Sequence, residues 1–110
     1  MKHFVLLFSL IFSFNITLSN VINESYLADY TISVTASNNS DYTLSGTDFN
    51  GTVSGNDPNL TFYVGDQITF AVNASNHPFY IKTVAGTGTG NQASNVTNNG
   101  TESGNVVWTP

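Results

Sequence analysis

From Tyr30 onward the chain alternates apolar and polar residues with a period of two. Ile32 and Val34 fall on one side, and Thr31, Ser33 and Thr35 on the other, which is the pattern of a strand with one buried face. Residues 38–41, NNSD, break the alternation with side chains that bond their own backbone and favour turns. Tyr42 to Leu44 then offers a short second strand. Residues 45–59, SGTDFNGTVSGNDPN, hold three glycines and a proline and predict a long loop. The strongest signal comes next. Leu60, Phe62 and Val64 alternate with Thr61 and Tyr63, Gly65-Asp66 supplies a tight turn, and Ile68, Phe70 and Val72 alternate with Gln67, Thr69 and Ala71. Phe79, Ile81 and Thr83 against Tyr80, Lys82 and Val84 predict a further strand, begun by Pro78 where a missing N–H costs least. Residues 86–104 predict a second long loop with Val96 as its inward anchor, and Val106 and Trp108 start a last strand. No apolar period of 3.6 persists beyond the N-terminal segment. Short strands joined by Gly- and Asn-rich turns predict an all-β chain built as an antiparallel sandwich.

The first residues obey a different rule. Lys2 and His3 precede an apolar run, Phe4 to Phe14, that is too short to cross a bilayer as a helix. Thr17 and Ser19 supply small residues for a peptidase, so residues 1–19 read as a secretory signal cleaved after Ser19, the alternative being an uncleaved N-terminal anchor, against which stands the lack of a basic stop-transfer flank. Residues 20–29 read as a leader without periodicity and residues 30–110 as the single domain. The expected location is therefore secreted, periplasmic or extracellular.

Residues 20–110 carry one lysine, no arginine and seven carboxylates, a formal charge of −6. Affinity for nucleic acid comes mainly from basic side chains displacing counterions, so nucleic acid is excluded as a partner, and so is an anionic membrane beyond the signal segment. Cysteine is absent, so stability comes from packing, from a bound metal or from neighbouring chain. Nothing resembling a nucleophile elbow surrounds any serine, and Gly86, Gly88 and Gly90 come after no strand-to-helix turn for a nucleotide. The chain is not expected to be an enzyme. Asp48 to Gly51 with Asp57 nearby lacks the closing glutamate of a calcium loop and reads as solvated turn residues. The tyrosines at 26, 30, 42, 63 and 80 read as half-buried strand packing. Seven Asn-x-Ser/Thr triplets fall in residues 20–110, at Asn23, Asn38, Asn50, Asn59, Asn73, Asn95 and Asn99. Random placement of the same residues gives about three. The excess fits a glycosylated secretory protein, and it equally fits a polar Asn- and Thr-rich surface.

The candidate for chemistry is His77, the one histidine after the signal segment, set before Pro78 and an aromatic stretch. Together, SGTDFNG (45–51), DPNLTFYVGDQITFAVNA (57–74), HPFYIKT (77–83), NNG (98–100) and GNVVWT (104–109) resemble the cupredoxin, or blue-copper, domain, over about residues 30–110. The resemblance implies a Greek-key β-sandwich of cupredoxin type, incomplete at the C-terminus. It also implies copper bound by His77 as the first ligand, single-electron transfer and a redox protein as partner. The family's remaining ligands, a cysteine, a second histidine and usually a methionine, come from a loop beyond the strand that 105–109 would form. A type 1 site needs two imidazoles and a thiolate with a weak axial donor, so residues 20–110 alone lack the ligands to hold copper. Three readings of His77 stay open: a ligand of a longer protein, a relic of a fold that has lost its metal, or an ordinary strand-end residue. The alternative function is a metal-free extracellular sandwich that binds partners through its loops or spaces other modules. A sandwich short of its last strand leaves a sheet edge open, so residues 20–110 alone are expected to aggregate or to order only in part.

Overall fold

A computed structural model describes residues 8–10 and 27–110 of the chain. Most of the expected signal segment and leader lies outside the described residues. The described chain is all β, with eight strands: β1 (Phe8–Leu10), β2 (Asp29–Thr35), β3 (Thr43–Asp48), β4 (Gly51–Asn56), β5 (Leu60–Phe62), β6 (Gln67–Asn73), β7 (Val96–Thr97) and β8 (Ser103–Trp108). Six of them form one open sheet in the order β4-β3-β2-β6-β8-β7, and β1 pairs with β5 in a separate two-stranded sheet.

Strands β2, β6 and β8 form where the alternation predicts them. β2 buries Ile32 and Val34, β6 buries Ile68, Phe70 and Val72, and β8 buries Val106 and Trp108, while the residues between them reach solvent or the partly covered outer face. The sheet is mixed, which departs from the expected antiparallel sandwich. β2 and β6 run parallel from Asp29 opposite Gln67 to Thr35 opposite Asn73, and every other pairing in this sheet is antiparallel. The cause is the connection. Residues between β2 and β6 form β3, β4 and β5 before the chain returns, long enough to re-enter beside β2 in the same direction, as parallel pairs require.

The expected loop 45–59 is instead mostly a hairpin. β3 and β4 pair antiparallel from Thr43 opposite Asn56 to Asp48 opposite Gly51, with Phe49 and Asn50 at the tip. Its inward positions are taken by Leu44, Asp48 and Val53, so the hydrophobic signal that marks a strand is diluted by glycine and a carboxylate. Gly46 sits opposite Ile32 with φ 150°, and a Cβ there would collide with the Thr31 carbonyl oxygen. Only glycine lets β3 approach β2 so closely.

A second departure lies in 79–84. Phe79 and Ile81 are fully buried as expected, yet the segment forms no strand; among the described residues it holds only isolated bridge positions, at Phe79 and at Lys82, the latter opposite Gln92. Lys82 is buried as well, against the alternation that set it outward. Together with β5, this extended segment covers the sheet: Phe79 packs on Phe70 with ring centroids 5.2 Å apart, and Phe62 meets Trp108 edge-on at 6.5 Å. The core lies between these two layers as one cluster. Full burial of each such aromatic or aliphatic side chain contributes about 1.5–3 kcal/mol.

β5 also marks the open side of the fold. Phe8 pairs with Leu60 and Leu10 with Phe62, in parallel, so three residues of the expected signal segment occupy that edge. Cleavage after Ser19 would remove them and expose the backbone groups of Leu60 and Phe62, while those of Thr61 stay bonded to Asp48 and Phe49.

Candidate functional site

β6 ends at Asn73, and the chain turns at once. The amide of His77 donates to the Ala74 carbonyl at 2.9 Å, and Asn76 takes a left-handed φ of 68°, which asparagine tolerates better than most side chains. Glu102 closes the turn from the other side. Its carbonyl accepts from the Ala74 amide at 2.9 Å and its carboxylate from the Asn76 amide at 3.1 Å. His77 is thus delivered by a short, bonded turn at the end of a central strand.

The residues just after His77 are fixed from beneath. The Tyr42 hydroxyl, fully buried, donates to the Pro78 carbonyl at 2.7 Å, and its ring meets Phe79 edge-on at 5.4 Å. Burial first, and the Asp57 carboxylate second, hold the Tyr42 phenol well above its ordinary range. The Phe79 amide donates to the Thr101 carbonyl at 3.1 Å, and the Phe79 carbonyl accepts from the Gly100 amide at 2.7 Å. The Asn99 side chain clasps Ile81, accepting from its amide at 2.7 Å and donating to its carbonyl at 3.1 Å. Side chains and loop backbone thus replace a ladder here.

One atom is left over. His77 Nδ1 is buried and has no hydrogen-bond partner, and it is the one buried side-chain nitrogen or oxygen in that condition among the described residues. Leaving a buried polar atom unpaired costs about 1–3 kcal/mol, and such an atom calls for a partner. A lone pair on Nδ1 is what an imidazole offers a metal. The fit to a copper site is nonetheless partial. Among the described residues no group of three or more His, Cys, Asp or Glu side chains is placed to hold a metal ion, and the 110-residue sequence has no cysteine. The residues present supply one donor and not a set.

The other sequence candidates fall into structural roles. Asp48 is not a solvated turn residue, whereas Asp57 is exposed. Asp48 is buried and accepts from the Asn50 and Thr61 amides at 2.8 Å each, tying the hairpin tip to β5, and Asp57 accepts from the Tyr42 amide at 2.8 Å. Asp66 is buried too, accepting from the Ala28 and Tyr63 amides at 2.9 Å each. Each carboxylate consumes backbone donors that the turns leave free. Tyr42 is buried more deeply than the half-buried strand tyrosine that the pattern suggests. The glycines at 86 and 88 have a partner that sequence reasoning passed over: the buried Lys82 ammonium donates to both their carbonyls and lies 5.8 Å from the centre of the Tyr80 ring. The glycine-rich stretch is the wrapping of a lysine. Its only signal in the sequence is that a lone basic residue sits four positions before a glycine-rich run.

Compared with protein-family models, with curated proteins and with solved structures, the chain matches none of them.

Proposed function

We propose that this chain is the larger, N-terminal part of a secreted cupredoxin-like domain of Greek-key sandwich type. In that reading it serves single-electron transfer to a redox protein, with His77 as one ligand of a mononuclear copper. The observation that carries the reading is the buried, unpaired Nδ1 of His77, delivered by a bonded turn at the end of β6 and succeeded by the buried Phe79. Copper, when bound, takes up and releases one electron. The described residues leave the other donors to be supplied from outside them, and what this chain contributes is placement: Tyr42 and Glu102 hold the backbone on either side of His77, and Pro78 and Phe79 keep its surroundings apolar.

The test has two stages. The reading frame beyond Pro110 is expected to continue into a segment bearing Cys, His and Met. The intact protein loaded with copper(II) is then expected to absorb intensely in the visible through thiolate charge transfer. A reading frame without any downstream thiol sinks the proposal. The other reading is a metal-free extracellular sandwich, favoured by the lack of a metal-holding cluster among the described residues. It predicts a protein that stays colourless with copper.

A further inference from the structure

Six of the seven Asn-x-Ser/Thr triplets lie among the described residues, and the fold sorts them. Asn50, Asn59, Asn73 and Asn95 are all exposed, and their side-chain amides have no hydrogen-bond partner among the described residues. Asn50 is at the tip of the β3–β4 hairpin, Asn59 enters β5, Asn73 ends β6 and Asn95 precedes β7. Asn99 is the opposite case. Its Nδ2 donates to the Ile81 carbonyl and to Gln92 Oε1, at 3.1 Å each, and its Oδ1 accepts from the Ile81 amide. Both hydrogens of that amide nitrogen are in use, and a sugar on it would displace the clasp on a fully buried residue. Asn38 is engaged as well, its Oδ1 accepting from the Ser40 and Asp41 amides.

We infer that Asn50, Asn59, Asn73 and Asn95 are acceptor sites for N-linked oligosaccharide, and that Asn99, with the same triplet, is excluded by its role in the fold. Two independent observations meet here. The triplets exceed chance by about twofold, and the four that structure does not employ all end in solvent. Asn50 has a further feature. Phe49 beside it is 44 % exposed while its ring meets that of Tyr63 at right angles, centroids 4.6 Å apart, so part of the aromatic ring remains open at the hairpin tip. A pyranose presents a face of C–H groups that packs on such a ring, and the first sugar on Asn50 would cover it. The inference is independent of copper and rests on the proposed export, through a route that attaches N-linked oligosaccharide.

The experiment is peptide mass spectrometry on the protein purified from its natural source, after chymotryptic digestion, with intact mass as a cross-check. Fragment ions that locate the sugar along each peptide are expected to place added hexose or hexosamine mass on Asn50, Asn59, Asn73 and Asn95, and none on Asn99, which chymotrypsin leaves on the same peptide as Asn95. Glycan on one or more of the four supports the proposal at those positions. Unmodified asparagine at all four overturns it, wherever the protein resides. Glycan on Asn99 in the folded, soluble fraction overturns the sorting by structure.

Discussion

The central strands β2, β6 and β8 and the segment from Ala74 to Glu102 are held by different means. The strands bond to one another residue by residue, seven pairs between β2 and β6 alone, and fill one face with Ile32, Val34, Ile68, Phe70, Val72, Val106 and Trp108. The segment has two buried hydrophobic anchors of its own after the turn, Phe79 and Ile81, and is otherwise pinned by the side chains of Tyr42, Asn99, Lys82 and Glu102 and by scattered backbone bonds within the loop. The first region is redundant, since any one ladder bond is one of many. The second is specific, because each side chain does a job that no neighbour repeats. His77 belongs to the second region but is carried on the end of the first, which is how a fold holds one imidazole steady without a ladder around it.

The sharpest break between the two regions comes from the ladder side. Phe70 is fully buried in β6 and packs on Phe79, so it joins sheet and covering segment. Phe70→Ala is expected to destabilise the chain by about 3–5 kcal/mol through lost transfer energy and the cavity left behind. Denaturant melts monitored by tryptophan fluorescence measure it, because Trp108 lies in the same core. A loss below about 1 kcal/mol would mean that the two layers do not pack on one another through this ring.

The two regions also differ in how legible they are from sequence. Alternation is a signal of burial on one face, so β2, β6 and β8 can be placed from residue type alone. The β3–β4 hairpin reads as loop because its inward line passes through Leu44, Gly46 and Asp48, where close approach to β2 demands glycine and β5 demands a carboxylate. The parallel return of β6 is a property of the whole connection from Thr35 to Gln67, which no local period records. At the site, His77 and the burial of Phe79 can be found from the sequence, since an isolated histidine before a proline is visible by its rarity. Tyr42 lies 36 positions away from Pro78, and nothing in residues 40–44 announces that its hydroxyl reaches that carbonyl. The burial of Lys82 is hidden for a related reason. A lysine in an alternating strand reads as outward, and only the folded carbonyls of Gly86 and Gly88 make its inward position tolerable.

Tyr42→Phe tests the specific region with an intermediate effect. The change removes one buried hydroxyl and leaves the Pro78 carbonyl without that donor, at an expected loss of about 1–2 kcal/mol near neutral pH. Its pH dependence is the more telling readout. Burial, and then Asp57, raise the Tyr42 phenol above its ordinary value of 10.0, so the folded state holds that proton more tightly than the unfolded one. The stabilisation is complete below about pH 10 and is lost as the pH rises toward the folded-state value, by up to about 1.4 kcal/mol per pH unit. Phenylalanine has no proton to lose. The gap in stability between the two proteins is therefore expected to narrow above pH 10, and a gap that stayed constant up to pH 11 would show that the phenol is not buried against Pro78.

His77→Leu is expected to have the smallest effect on stability, and its sign is what matters. Were the imidazole there to hold the turn together, removing it would cost about 1–3 kcal/mol, as for any buried group whose partner is lost. But the bonds of the turn run through the His77 backbone amide, which leucine keeps, and the side chain brings a buried Nδ1 with nothing to receive it. Leucine has a similar bulk without the orphan atom, so the variant should be as stable as the original or gain up to about 1 kcal/mol, by thermal or denaturant melts of the full chain. An imidazole whose removal stabilises the protein is kept for something other than folding, and that result would favour a ligand role over a structural relic. A clear loss of stability would place His77 among the specific clasps, with Tyr42 and Asn99, and would take away the observation on which copper rests.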